Sequence, residues 1–220
     1  MFARLLLVGA VLVASLAFFF ASQQGGSSEV VIPHYIQGRN KTVLMVANEE
    51  HGLSNVHIAT AYALLENYPD IEVHYASFPS KAKKIERVSQ YARKKNPAAK
   101  DIVFHPIAGP TFADVAYEDG RNIEWLMHPP GFGGLGKFVR NLPYFIAPWD
   151  VESYYGIYKQ VCDMIDEIDP AIVVMEPLFL PGQDAAADKR RLRAMISPNT
   201  LVDTFLQNQG LLKMLYKYPA

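Results

Sequence analysis

Residues 43–66 read VLMVANEEHGLSNVHIATAYALLE. The apolar run from Val43 to Ala47 has no in-and-out alternation, as expected of a strand covered on both faces. A short polar loop holding His51 follows, and an amphipathic pattern over 54–67 then predicts a helix. A buried strand that runs through a short loop into a helix is the opening of an α/β unit.

The same rhythm continues outward. Apolar runs at 71–77, 102–107, 171–175 and 192–197 predict further strands, and helical patterns fall at 81–95 and 151–168. Strands alternating with helices imply an α/β fold, a Rossmann-like parallel sheet with helices on both faces. The stretch 108–150, rich in Gly, Pro and aromatic residues, interrupts this pattern and reads as an insertion between the third and fourth strands. Such a connection can wall a pocket for an apolar substrate or simply pack on the sheet. No internal repeat is visible.

The first residues are organised differently. After Arg4, Leu5 to Ala21 form an unbroken apolar run, so 1–22 read as a hydrophobic helix acting as a signal anchor or signal peptide. Bulky Phe19 disfavours cleavage after Ala21, which points to an uncleaved membrane anchor through residues 5–21. Arg4 on the short side places the bulk of the chain in the lumen of the endoplasmic reticulum or secretory pathway. Asn40-Lys41-Thr42 is an N-glycosylation acceptor pattern that agrees with this location. Residues 23–40 read as a linker, and the folded domain is expected over 41–220.

Composition excludes some functions. A formal net charge of −1 gives no basic excess for nucleic acid. The basic bunching at 81–100 reads as the solvated face of a helix whose Ala82, Ile85, Val88 and Ala92 point inward, or as a patch for anionic lipid headgroups. The single cysteine, Cys162, excludes an intrachain disulfide and is expected to be an inert packed thiol. GFGGLG at 131–136 spells a glycine-rich loop, but Pro129 and Pro130 cannot complete the strand that a dinucleotide site requires. Neither a metal nor a cofactor is expected.

In an open parallel sheet, ligands sit beyond the carboxyl ends of the strands. With strand order 3-2-1-4-5, the fourth strand lies beside the first, and Glu176 at its carboxyl end becomes a spatial neighbour of His51. An imidazole oriented by a carboxylate can take a proton from a hydroxyl. A helix opening at Ser54 or Asn55 would offer free N–H groups to an anion or a sugar oxygen, besides serving as an ordinary N-cap. His57 in its first turn can face the cleft or lie half-buried. His74 and His105 read as structural, and Asp184 and Asp188 as acidic residues near the start of a helix at the sheet edge.

The succession VLMVANEEHGLSNVHIATAYALLE, DIEVHYASFP, IDPAIVVMEPLFLPGQDAAAD and SPNTLVDTF resembles the N-terminal half of the UDP-dependent glycosyltransferases of the two-domain GT-B type. The likeness is greatest to fungal members with an N-terminal membrane segment, and it covers roughly residues 41–206. It implies transfer of a sugar from a UDP-sugar co-substrate to a hydroxyl of a small lipophilic acceptor. It also implies that a C-terminal domain, absent from these 220 residues, binds the UDP-sugar. The family's Gly-His-(Ile/Val)-Asn-Pro falls on Gly52, Leu53, Ser54, Asn55 and Val56, so Leu53 stands where the catalytic histidine belongs. His51, two residues earlier, is the candidate replacement. Glu176 takes the place of the orienting carboxylate, and Gly52, Ser54, Asn55 and His57 are candidate substrate-binding residues. The alternative is a non-catalytic lumenal module that keeps only the acceptor pocket.

Overall fold

The computed structural model describes residues 34–118 and 132–198. The expected leader, most of the linker, the centre of the insertion and the last 22 residues lie outside them. Among the described residues, no helix is long and apolar enough to cross a membrane.

Five strands form the sheet: β1 (Arg39–Val46), β2 (Glu72–Ser77), β3 (Val103–Pro106), β4 (Pro170–Met175) and β5 (Arg193–Met195). Their order is β3-β2-β1-β4-β5 and every neighbouring pair is parallel. Central β1 pairs Val43 with Val73 of β2 on one side and with Ile172 of β4 on the other. All carboxyl ends therefore open on one rim. The edge strands β3 and β5 are short, which limits the unpaired backbone they present to other chains.

Successive residues of β1 feed opposite faces, as the period of two in a strand dictates. Leu44 and Val46 join one core, with Ile157, Val161 and Ile165 of α5 (Val151–Ile168) and Ala185 and Ala186 of α6 (Leu180–Asp188). Val43 and Met45 join the other, with Ile58, Ala61 and Leu65 of α1 (His51–Asn67) and Ile85 and Ala92 of α2 (Ala82–Lys95). Helices on both faces are the reason β1 reads as continuously apolar.

The described part of the insertion holds α3 (Phe112–Ala116) and α4 (Phe132–Ile146). Thr111 and Asp114 close α3 with a reciprocal capping box. Buried Phe112 and Trp149 pack edge-on at 5.9 Å, Trp149 meets Phe179 at 5.9 Å, and its indole N–H donates to the Pro110 carbonyl at 2.9 Å. These aromatics belong to the core on the α5 face rather than to a pocket wall.

Two sequence expectations shift. Helix α1 begins at His51, three residues before the predicted start, so Glu50 and neither Ser54 nor Asn55 is its N-cap. Helix α6 begins at Leu180 with Pro181 in its first turn, a position proline suits. Asp184 and Asp188 consequently lie inside α6 and at its end. There they accept hydrogen bonds from the Tyr154 and Tyr158 hydroxyls of α5, at 2.5 and 2.6 Å. Gly182 sits where α6 crosses the sheet, and a Cβ there would stand 2.8 Å from Val46 Cγ1.

Cys162 is a free, buried thiol in α5, and burial pushes its pKa up. His74 Nε2 and Glu72 Oε1 meet at 2.8 Å, as do His74 Nδ1 and His105 Nε2, a partnership across β2 and β3. Exposed Asn40 lies near the amino end of β1, on the opposite rim from the β1–α1 loop.

Candidate functional site

The rim is built where β1 and β4 end side by side. Residues 47–50 lead from β1 into α1, and Glu176 follows directly on β4. Its backbone N–H reaches back to the Val46 carbonyl at 3.3 Å, which fixes the side chain beneath the loop. Glu176 is fully buried. Its Oε2 accepts from the Asn48 backbone N–H at 2.8 Å, while its Oε1 has no hydrogen-bond partner. Burial pushes the Glu176 pKa up to about 7; the nearby Glu50 charge adds to the rise, while the Asn48 bond and Lys81 oppose it.

Asn48 is tied on three sides. Its Oδ1 accepts from Glu49 N at 2.8 Å, its carbonyl accepts from the Ser77 hydroxyl at 3.4 Å, and its own N–H is the one held by Glu176. The β1–α1 loop is thus anchored to the ends of both neighbouring strands. Sequence reading passed over Asn48; the position just past the central strand is the signal that could have found it.

His51 is the first residue of α1 and is exposed. It lines an open cavity of about 750 Å³ between the start of α1 and the outer face of α2, together with Glu49, Glu50, Lys81, Arg87 and Tyr91. Burial and the neighbouring Glu49 raise the Glu50 pKa, with Lys81 and His51 opposing. His51 and Glu176 share the rim, but no hydrogen bond joins them: Glu176 Oε2 holds the Asn48 N–H and its Oε1 is without a partner.

The other candidates divide by helix face. Gly52 and Asn55 are exposed, and Asn55 Oδ1 accepts from the Lys84 ammonium. Ser54 and His57 are fully buried. The Ser54 carbonyl accepts from the Tyr75 hydroxyl at 3.3 Å, and His57 Nδ1 donates to the Leu53 carbonyl at 3.0 Å, leaving Nε2 without a partner. His57 lines neither this cavity nor a second, apolar groove of about 510 Å³ between α1 and α2. Leu53 is half-buried. No group of three or more His, Cys, Asp or Glu among the described residues could hold a metal ion.

The chain matches no protein-family profile. It is 28% identical over 191 residues to the glycosyltransferase sdnJ of Sordaria araneosa, an alignment covering 84% of this chain and 37% of the relative. The chain therefore spans just over a third of that protein's length. Among solved structures it is similar to the Streptomyces sp. SF2575 glycosyltransferase SsfS6, with TM-score 0.48, 14% identity, and coverage of 71% of this chain and 39% of that one. It is also similar to the glycosyltransferase VinC in complex with DTDP, with TM-score 0.47, 15% identity, and coverage of 81% and 39%. Both scores lie below 0.5, so the α/β architecture rests on the sheet itself. The residue pattern and the curated relative agree: over most of its length this chain is similar to part of a glycosyltransferase.

Proposed function

We propose that this chain is the acceptor-binding half of a UDP-sugar-dependent glycosyltransferase, one that transfers a sugar to a hydroxyl of a small lipophilic acceptor. The observation that carries the reading is the adjacency of β1 and β4, which brings His51, on an open cavity, and Glu176, beneath the same loop, to one rim. The similarity to a fungal glycosyltransferase supports it.

In this reading His51 accepts the proton of the acceptor hydroxyl as its oxygen attacks the anomeric carbon of the UDP-sugar. The bond from that carbon to the diphosphate breaks, and UDP leaves with the electron pair. A base so placed is worth about 10² to 10⁴ in rate. Glu176 acts through Asn48: it is a positioning residue that holds the loop from which His51 projects. Gly52 and Asn55, exposed near the start of α1, lie outside the lining of the His51 cavity and would meet only a substrate that extends beyond it; buried Ser54 and His57 shape the helix beneath. The UDP-sugar is a co-substrate held mainly by a further domain, in keeping with the greater length of the relative. The apolar run at 5–21 supports a membrane-anchored enzyme whose bulk is lumenal, with exposed Asn40 as a glycan site.

Leu53, in the place of the family's histidine, favours a second reading: a binding module without transfer. The test is to join the chain to a donor-binding domain and incubate it with radiolabelled UDP-sugars and a panel of lipophilic alcohols and phenols. Labelled glycoside supports the enzyme. Acceptor binding without any glycoside supports the module.

A further inference from the structure

Lys81 ends the 3-10 turn Pro79–Lys81 and stands at the N-cap of α2. It is only 4% exposed, yet it lines the cavity that holds His51. Its stem is buried while its ammonium meets the cavity, a placement that suits a charge-assisted bond to an anion. Neighbouring cations are engaged or solvated: Lys84 donates to Asn55 Oδ1, Arg87 bonds Tyr91, and Lys83 is exposed. The Lys81 backbone N–H donates to the Phe78 carbonyl at 3.0 Å, while its ammonium, open to the cavity, makes neither a hydrogen bond nor an ion pair among the described residues. Glu49, Glu50 and Glu176 act on it through space without bonding it; Glu49 Oε2 accepts from the Ser80 hydroxyl at 2.7 Å and Glu176 Oε2 from the Asn48 N–H. Burial and the Lys84 charge hold the Lys81 pKa down, while Glu49, Glu50 and Glu176 oppose the fall.

The cavity is also polarised. Glu49, Glu50 and His51 line it from the start of α1, and Lys81, Lys83, Lys84 and Arg87 from α2 and the turn before it, so cations outnumber carboxylates. The N-terminus of α2 adds its dipole on the cationic side. Val88, Tyr91 and Ala113 supply apolar lining.

We propose that Lys81 receives an anionic group of the acceptor, so that the acceptor is a lipophilic hydroxy acid whose carboxylate meets Lys81 while its hydroxyl is presented to His51. The hydroxyl half of this statement rests on the function proposed above; the anion site stands on the cavity alone. The diphosphate of a sugar donor is the other source of the same chemistry. The apolar lining favours a carboxylate on an apolar body.

The test is equilibrium dialysis of the full chain against 2-naphthoate, its uncharged analogue 2-naphthamide, and inorganic pyrophosphate, at about 0.15 M salt to screen exposed charges. The expected result is naphthoate binding at least about tenfold tighter than naphthamide, the ratio for 1.4 kcal/mol. Lys81→Met should bring the two ligands to parity, Lys81→Arg should keep the preference, and Lys83→Met should leave it unchanged. Val88→Glu, which sets a negative charge on the same wall, should abolish the preference in a second way should Lys81→Met fail to fold. Parity in the unaltered chain, no naphthoate binding, or a preference that survives in folded Lys81→Met would overturn the proposal. Lys81-dependent binding of pyrophosphate but not naphthoate would overturn the acceptor assignment in favour of the diphosphate. Glycosyl transfer that ignores acceptor charge would remove this inference alone, whereas Lys81-dependent binding without transfer would remove only the proposed activity.

Discussion

At the scale of residues, Glu176 joins stability to protonation. Its pKa lies at about 7 in the folded chain, against 4.5 for an unperturbed glutamate, chiefly because burial penalises the charged form. Between those two values the folded state holds a proton that the unfolded state has released. Its contribution to stability is therefore fully present below about pH 4.5 and is lost as pH rises through about 7. Glu176→Gln retains an acceptor for Asn48 N–H but cannot titrate. Urea melts across this window should show wild-type stability falling relative to the variant as pH rises; parallel profiles would mean that the carboxyl titrates normally. His57 teaches a related lesson. Sequence reading set it at a cleft or half-buried, yet it lies on one stripe with Ser54, Ile58, Ala61 and Leu65 and is wholly inside. The spacing of that stripe was the available signal. A histidine's chemistry drew attention away from its position.

At the scale of elements, close packing decides what can change. Gly182 lets α6 approach β1, and a Cβ there would also lie 2.9 Å from Phe179. Gly182→Val should cost about 1 to 3 kcal/mol by overpacking, read as a lower denaturation midpoint with unchanged slope. Trp149 clasps the insertion to the sheet through Phe112, Phe179 and Pro110. Trp149→Ala should cost about 3 to 5 kcal/mol, and an unaltered melting curve would show that the insertion is fastened elsewhere. Helices α2 and α5 were legible because their apolar residues repeat at helical spacing and their ends are marked, α5 by the Asp150 cap. The start of α1 was not, since Glu50 makes no side-chain cap bond and the polar run 48–51 reads as loop. The beginning of α6 hides in a similar way, because its N-cap Phe179 makes no side-chain cap bond and Pro181 in its first turn is equally at home in a loop.

At the scale of the whole molecule, apolar strands separated by helices announce a parallel sheet, while the order that sets β1 between β2 and β4, assumed from the sequence, is seen in the structure. The sequence pattern does not announce which atoms the buried carboxylate will bind. Glu176 was expected to meet an imidazole, and in the structure it holds the backbone at Asn48. Alternation of strand and helix fixes which loops share a rim, whereas the side-chain partners within that rim depend on ångström-scale packing. The central claim is that this rim does acid–base chemistry on an acceptor hydroxyl through His51. The direct measurement is the transfer rate of His51→Ala in the chain joined to a donor-binding domain, at saturating acceptor. The account predicts a loss of about 10² to 10⁴ in kcat with acceptor affinity kept; an unchanged kcat would contradict it.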